Sequence, residues 1–278
     1  MRPQIEYFHQ NRVEWKKGFL AGTEERTLSR DEQSGADSIV INYPAGWDQG
    51  NARVLGAAEE IFLLAGTLDV NGVEHGPMSY ARWPEGTRIE RSSSGEGAVA
   101  VLFRNQEPAT AVSAGPDDRK LVEKIDCLTV GPSPMRTPDF PNPEGVKRIN
   151  LFDDPDTGES TWILAGPALR AGSKPEVHPV VEEMFLISGQ MHSPLGIMNP
   201  GAYFWRPEDV WHGPFSNLSG CVCLFRTQGG PLSTVYTDAI EGTAWNHEYA
   251  PFLPDDLSLQ GDETTELDAW RSVTAIQG

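Results

Sequence analysis

The segment Glu59-Glu60-Ile61-Phe62-Leu63-Leu64-Ala65-Gly66 is followed, 123 residues later, by Glu182-Glu183-Met184-Phe185-Leu186-Ile187-Ser188-Gly189. Both segments open with two glutamates, continue with apolar residues over the length of a strand and end in glycine. At the same offset the identical pairs are Leu28/Leu151, Asp31/Asp154, Gly35/Gly158, Pro44/Pro167, Ala45/Ala168, Tyr80/Tyr203, Pro84/Pro207 and Glu85/Glu208. A slip of one residue then aligns Leu102-Phe103-Arg104 with Leu224-Phe225-Arg226. The repeat predicts two copies of one fold, which we place at residues 1–117 and 118–278.

The pattern of each half is that of β-structure. Short apolar runs such as residues 38–41, 98–103 and 221–225 have strand composition, and turns rich in Gly, Asn, Asp and Pro follow them. We therefore predict an all-β chain of two tandem antiparallel β-sandwiches or jelly-roll barrels, whose closure removes exposed strand edges. We expect residues 121–130 to pair as a strand with one barrel, and residues 262–274 to form a short helical tail.

Composition excludes several classes of partner. The net charge of −18 argues against a nucleic-acid surface and against an anionic membrane. No apolar run approaches the roughly 20 residues that span a bilayer, and the first residues lack the pattern of a secretory signal. The three cysteines, Cys127, Cys221 and Cys223, are an odd and sparse set, which we interpret as reduced thiols of a cytoplasmic protein.

Two polar clusters occur in the second half only. The first is Glu176-Val177-His178-Pro179-Val180-Val181-Glu182, with Gly189 seven positions further on. The second begins at Gly201 and continues, after five residues, with Pro207-Glu208-Asp209-Val210-Trp211-His212. Together they resemble the two signature motifs of the cupin superfamily. The resemblance implies a jelly-roll barrel in which His178, Glu182 and His212 are metal ligands.

The clusters depart from the cupin motifs at two positions. Glu176 stands where the family has its first histidine, and Asp209 stands where it has the glycine of Pro-x-Gly. With Glu176 as a ligand, the site has two imidazoles and two carboxylates, and without it a two-histidine, one-carboxylate face. Either set suits one divalent transition metal with open coordination positions, Fe(II) above all, with Mn(II), Ni(II) or Zn(II) as alternatives.

Strand alternation suggests which side chains line a pocket beside the metal. Glu182 shares a strand face with Met184 and Leu186, which would form an apolar wall. Tyr203 and Trp205 share a face of a later strand, and if that face points inward it favours a planar or aromatic substrate. His192 follows Gly189 and could reach the same cavity. We assign no catalytic acid or base.

The first half is an internal control for these assignments. Arg53, Leu55, Glu59 and Ile89 occupy the positions of Glu176, His178, Glu182 and His212. Two aliphatic side chains and an arginine cannot hold a metal, so we expect the first barrel to be a structural partner or a lid. Because Tyr80 repeats Tyr203, and the Leu-Phe-Arg run occurs in both halves, Tyr203 and Arg226 lean towards structural roles.

Three functions fit the metal hypothesis. The first is a non-haem Fe(II) dioxygenase that cleaves a C–C bond of a small enolisable or aromatic substrate, by resemblance to cupins that cleave diketones, flavonols or hydroxyacetophenones. The second is a Mn(II)-dependent hydrolase or isomerase, because the first cluster is also similar to that of ureidoglycine aminohydrolase. The third is a non-catalytic ligand or metal sensor, as in cupin-type anti-sigma factors. By analogy with cupins a homodimer is expected.

Overall fold

The computed structural model describes residues 2–105, 115–135, 145–238 and 247–261. In chain order the strands are β1 (Ile5–His9), β2 (Lys16–Lys17), β3 (Glu24–Arg30), β4 (Asp37–Tyr43), β5 (Trp47–Asp48), β6 (Arg53–Val54), β7 (Glu59–Gly66), β8 (Leu68–Val70), β9 (Val73–His75), β10 (Ser79–Trp83), β11 (Arg88–Ile89), β12 (Ser92–Ser94), β13 (Ala98–Arg104), β14 (Val122–Asp126), β15 (Ser133–Pro134), β16 (Lys147–Asp153), β17 (Ser160–Gly166), β18 (Arg170–Ala171), β19 (Glu176–Val177), β20 (Val181–Gly189), β21 (Met191–Ser193), β22 (Gly196–Met198), β23 (Ala202–Arg206), β24 (Ser216–Asn217), β25 (Cys221–Gln228) and β26 (Val235–Tyr236). Two 3₁₀ turns, Gln10–Arg12 and Asp118–Lys120, complete the regular structure of these ranges. The predicted helical tail at residues 262–274 lies outside the described residues.

The strands fall into two compact units. The described part of the first unit comprises residue 2 and residues 13–105 and 115–130, and that of the second comprises residues 3–12, 131–135, 145–238 and 247–261. The division differs from the predicted boundary after residue 117 in two respects. The strand β14 belongs to the first unit, as the prediction of a strand within residues 121–130 allowed, and the early strand β1 belongs to the second unit.

Each unit contains a seven-stranded and a four-stranded antiparallel sheet. In the first unit the orders are β14-β10-β7-β13-β4-β3-β2 and β5-β12-β8-β9. In the second they are β1-β23-β20-β25-β17-β16-β15 and β18-β24-β21-β22. The prediction of an all-β chain is confirmed, and this arrangement is consistent with a cupin jelly-roll fold. No helix within the described ranges is long and apolar enough to cross a membrane.

The register of the central strands repeats at the offset seen in the sequence. Tyr80 pairs with Phe62 in the first unit, and Tyr203 pairs with Phe185 in the second. Gly66 and Gly189 end β7 and β20 with φ angles of 71° and 77°, and a Cβ atom at either glycine would lie within 2.1 Å of a carbonyl oxygen. Glycine is therefore required at both positions.

The predicted one-residue slip between β13 and β25 is wrong. Leu102 lies opposite Ile61, and Phe225 lies opposite Met184, so the offset of 123 continues through this strand. The pairing skips Leu64 in the first unit and Ile187 in the second, which are equivalent bulges, so no slip is needed. Arg226 is consequently equivalent to Phe103 and not to Arg104.

The apolar core of the second unit lies between its sheets and beside the two polar clusters. It is built from side chains on one face of β20, β23 and β25, together with Tyr7 of β1 and Trp162 of β17. Met184 and Leu186 contribute from β20, as alternation from Glu182 predicts. Glu182 continues this face towards the end of the strand, which places its carboxylate at the boundary between core and cavity.

Candidate metal centre

Backbone pairing brings the two polar clusters together. The amide of Glu176 donates to the carbonyl of His212 at 2.9 Å, and the amide of His212 donates back to Glu176 at 3.0 Å. Residues paired in this way across an antiparallel bridge project their side chains to the same side. His178 lies two residues beyond Glu176 and therefore shares its side of the chain.

All four residues predicted to surround a metal lie together. Candidate ligand atoms of Glu176, His178 and His212 all lie within 4.8 Å of one another. The Oε1 atom of Glu182 lies 3.6 Å from Nε2 of His178, and its Oε2 atom lies 3.7 Å from Nε2 of His212. Oε1 of Glu176 lies 3.8 Å from the same nitrogen of His212. The structure thus brings the two imidazoles and Glu176 to one point, with one oxygen of Glu182 near each imidazole.

Backbone carbonyls fix the orientation of both imidazoles. The Nδ1 atom of His178 is 2.9 Å from the carbonyl oxygen of Ser233, and that of His212 is 2.9 Å from the carbonyl oxygen of Val210. A carbonyl only accepts hydrogen bonds, so each Nδ1 carries a proton, and the lone pair of the neutral ring is then on Nε2. Such hydrogen bonds are how proteins orient metal-binding histidines.

The donor atoms fit a divalent cation. Within the described part of the chain, Nε2 of His212 is fully buried and has no hydrogen-bond partner. Burial, followed by repulsion from Arg206, lowers the pKa of His212 far below its usual value, which keeps its ring neutral. Burial and the neighbouring Glu182 raise the pKa of Glu176. A cation between these groups would satisfy the nitrogen and offset the carboxylate repulsion.

Arg206, at the end of β23, is a part of the site that the sequence analysis missed. Its Nη1 atom donates to Oε2 of Glu182 at 2.5 Å, while Nε and Nη2 donate to both oxygens of Glu6 at 2.5 and 2.8 Å. Burial alone would lower the pKa of Arg206, but the attraction of Glu6 and Glu182 raises it. The sequence offered one indication of its role, because Arg206 occupies the position at which the first half has Trp83.

A cavity opens beside three of the four polar residues, Glu176, His178 and Glu182. The space not filled by atoms is about 740 Å³ when the open solvent at the mouth is counted, but the centre of a water molecule can reach only about 70 Å³ of it. The lining is mainly apolar and aromatic, with Glu176, His178 and Glu182 on one side and Arg170 as a further charged group. The other lining residues are Met135, Val146, Trp162, Leu164, Met191, Phe204, Phe215, Phe225, Leu232, Ser233 and Thr234. Trp162 and Phe225 are stacked, with ring centroids 5.4 Å apart and an interplanar angle of 8°.

None of the five predicted pocket residues lines this cavity. Met184 and Leu186 are on the expected face but lie deeper, in the core. Tyr203 and Trp205 are on the opposite face of β23, because Phe204 of that strand faces the cavity. His192 is buried in β21 opposite Ile197, and its neighbour Met191 lines the cavity instead.

The buried hydroxyl of Tyr203 has a structural partner. It donates to Oε1 of Glu183 at 2.6 Å, as Tyr80 donates to Glu60 at 2.8 Å in the first unit. Arg226 lies 3.1 Å from the other oxygen of Glu183 and so belongs to the same buried cluster, away from the cavity. These contacts agree with structural roles for Tyr203 and Arg226.

Asp209 replaces the glycine of the Pro-x-Gly turn and keeps the backbone conformation of that glycine. Asp209 has a φ angle of 61°, and Gly86 at the equivalent position of the first unit has a φ angle of 83°. Aspartate tolerates this left-handed conformation better than most residues. The amide of Asp209 donates to the carbonyl of His178 at 2.9 Å, which ties the second cluster to the first.

Residues 133–230 match the sequence family described as the ChrR Cupin-like domain. This region extends from β15 to β25 and includes all four polar residues of the site. It covers about a third of the chain and identifies a cupin-like domain there. No curated protein shows a significant sequence match to the chain.

Solved structures resemble a larger part of the chain. A candidate dioxygenase from Nostoc punctiforme is 17% identical, with a TM-score of 0.75 over 85% of this chain and 87% of its own. Oxalate decarboxylase from Bacillus subtilis, studied for its Mn(II) centres, is 12% identical, with a TM-score of 0.56 over 84% of this chain and 80% of its own. The same enzyme at pH 4.6 is 14% identical, with a TM-score of 0.57 over 84% and 78%. At these identities the likeness shows that the chain has a cupin fold.

Proposed function

We propose that the chain is a two-barrel cupin enzyme whose second barrel holds one divalent transition metal, most simply Fe(II), through His178, His212 and the neighbouring carboxylates. We further propose that it is a dioxygenase that cleaves a C–C bond of a small enolisable or aromatic substrate. The observation that carries the proposal is the meeting of two imidazoles with neighbouring carboxylates, where His178, Glu176 and Glu182 line an aromatic cavity and His212 lies buried behind them.

A divalent ion at this place would offer coordination positions to an enolate or phenolate oxygen and to O2. The protein residues supply the remaining requirements. Ser233 and Val210 hold the imidazoles in one tautomer and orientation through their carbonyls. Glu176 and Glu182 supply negative charge that favours a dication over a proton on either ring.

The cavity supports a planar, mostly apolar substrate. The stacked pair of Trp162 and Phe225 and the ring of Phe204 offer flat surfaces and exclude water from the polar residues. Arg170 is part of the cavity lining and provides a cation for an anionic oxygen of the substrate. Small hydrophilic dianions would leave most of this apolar surface without a partner.

One comparison favours a second candidate, a Mn(II)-dependent hydrolase or isomerase. The donors are nitrogen and oxygen without thiolate, a set that accepts Mn(II) as readily as Fe(II). The Bacillus subtilis oxalate decarboxylase that shares the fold is described with Mn(II) centres. In that case the chain would convert its substrate without O2.

Metal analysis and oxygen uptake together test the proposal. Purified full-length protein should contain a transition metal that is lost in the His178→Ala, His212→Ala double variant and retained in a His247→Ala control. The metal-loaded protein should consume O2 with a member of a panel of β-diketones and hydroxylated aromatic compounds, and label from O2 should enter both products. Turnover that continues under anaerobic conditions would exclude the dioxygenase and favour the Mn(II) candidate.

A further inference from the structure

Three charged side chains form a buried chain next to the imidazoles. Arg206 is 1% exposed and lies between Glu6 of β1 and Glu182 of β20. All three of its guanidinium nitrogens donate to carboxylates, two to Glu6 and one to Glu182. The ring of Phe204 lies 4.0 Å from the guanidinium carbon and covers one of its faces. Arg206 is therefore held in place from several sides.

This arrangement makes the two carboxylates of the site unequal. Oε2 of Glu182 accepts a charge-assisted hydrogen bond at 2.5 Å from Arg206, which neutralises much of its charge. Glu176 accepts a hydrogen bond from the neutral hydroxyl of Tyr236. A cation that approaches the imidazoles would have to displace a buried ion pair to use Glu182 fully. At Glu176 it would instead meet a neutral hydroxyl donor and the charge of Arg170.

We propose, on the basis of the metal site proposed above, that the ion pair with Arg206 keeps Glu182 from binding the metal and that Glu176 is the carboxylate ligand. The metal is then held by His178, His212 and Glu176, while Glu182 remains in the ion pair outside the ligand sphere. Glu6, Glu176 and Glu182 together balance the charges of Arg206 and a divalent ion, so the loaded site carries no net charge. Glu6 and Arg206 are positioning residues in this scheme.

The smaller ligand set has a consequence for substrate binding. A two-histidine, one-carboxylate face leaves one more open position on the metal than a four-ligand set. Such a face would leave room for a substrate that chelates through two oxygens and for O2. Glu176, which replaces the first histidine of the motif, is then the anionic ligand. Glu182, the glutamate of the motif, is held by Arg206 and does not bind the metal.

Binding of Co(II) to the full chain tests this assignment, with affinity measured by calorimetry and coordination by visible absorption. Glu176→Gln should weaken Co(II) binding by more than about 100-fold, beyond the 10–100-fold loss typical of residues outside the ligand sphere, whereas Glu182→Gln should stay within that range. The absorption spectrum should change in Glu176→Gln and be preserved in Glu182→Gln. Arg53→Gln, the matched arginine of the first unit, should change neither readout.

The double variant Arg206→Gln, Glu6→Gln removes one charge of each sign, which keeps the net charge of the cluster unchanged and releases Glu182 from its ion pair. Its Co(II) affinity should equal or exceed that of the wild type, and its spectrum should show an added ligand, effects that a purely structural arginine would not produce. Retention of affinity in Glu176→Gln, or a loss of affinity in the double variant, would overturn the assignment while leaving the metal site itself standing. A wild-type chain that binds no Co(II), Mn(II) or Fe(II) would instead remove the proposed function.

Discussion

The two units hold the same glutamate in the same register and neutralise it from different directions. In the first unit Glu59 receives both Nη1 and Nη2 of Arg53 at 2.7 Å, and Arg53 occupies the position of Glu176. In the second unit Glu182 is paired with Arg206, which occupies the position of Trp83. Moving the arginine from one position to the other frees the space in which Glu176 and the two imidazoles meet.

The strands β13 and β25, which pair with β7 and β20, also differ in the residue that lies opposite the glutamate. Thr227 lies opposite Glu182, whereas Arg104 lies opposite Glu59 and is paired with Asp37. Two arginines therefore stand near Glu59, where the second unit has a carboxylate and a hydroxyl. A retained glutamate alone therefore does not identify a metal site in this fold. The position of the arginine that pairs with it decides whether further metal ligands can stand beside it.

The largest effect is expected when the metal-binding side chains of the second unit are introduced into the first. The triple variant Arg53→Glu, Leu55→His, Ile89→His would give the first unit the donor types of the second, because Arg53 and Ile89 are paired across β6 and β11 as Glu176 and His212 are. We expect the full chain to bind a second equivalent of metal, measured by elemental analysis after dialysis. Arg104→Thr added to the triple variant should tighten this second equivalent by removing a nearby cation.

The single variant Arg53→Glu is the control for this experiment. Without the two histidines it should add no metal, and the repulsion between the new carboxylate and Glu59 should lower stability. If the triple variant folds and still binds only the original equivalent, the difference between the units does not lie in these side chains.

The sequence predicted the strands and the meeting of the four polar residues, but on two different grounds. Alternation and strand composition are properties of neighbouring residues, and the spacing of His178 and Glu182 is fixed along one segment. That His212 joins this segment across the intervening strands was expected only through the resemblance to cupins. The structure accounts for it through the backbone bridge between Glu176 and His212.

Which face of β23 points inward could not be predicted, because the strand is apolar on both faces. All five residues from Ala202 to Arg206 are buried, so polarity does not mark an outer side. Arg206 was missed for a related reason. Its partners Glu6 and Glu182 are 200 and 24 positions away in the chain, and no local pattern announces an ion pair of that range.

A second pair of equivalent glutamates tests whether the rest of the scaffold is shared. Glu183 is buried with Tyr203 and Arg226, and Glu60 is buried with Tyr80 and has Arg82 at 3.8 Å. Glu183→Gln and Glu60→Gln should each cost about 3–5 kcal/mol, because each removes the charge of a buried carboxylate that faces a buried arginine. Urea unfolding followed by circular dichroism measures the loss, and Glu90→Gln is an exposed control. A cost below that of the control at either position would remove the structural role assigned to that glutamate.

Substitution of the two tyrosines in these clusters should lower stability less, and by similar amounts in the two units. Tyr80→Phe and Tyr203→Phe each remove one hydrogen bond to a buried carboxylate, which we expect to cost about 1.5–3 kcal/mol. The urea midpoints of the two variants should fall by similar amounts, and the metal content of both should equal that of the wild type. A loss of metal in Tyr203→Phe alone would show that this tyrosine serves the site after all.

The smallest expected effect concerns the position where the two units differ in the Pro-x-Gly turn. Asp209 and Gly86 both have left-handed backbones, and the side chain of Asp209 is exposed. Asp209→Gly would relieve about 1–2 kcal/mol of left-handed strain. The greater chain entropy of glycine would also stabilise the unfolded state by about 0.5–1 kcal/mol, so the net gain in stability should be about 0–1.5 kcal/mol. The Co(II) affinity should be unchanged, because the amide that binds the carbonyl of His178 is present in either residue. A marked change in affinity would mean that the aspartate carboxylate acts on the site, and the departure from glycine would then be functional rather than tolerated.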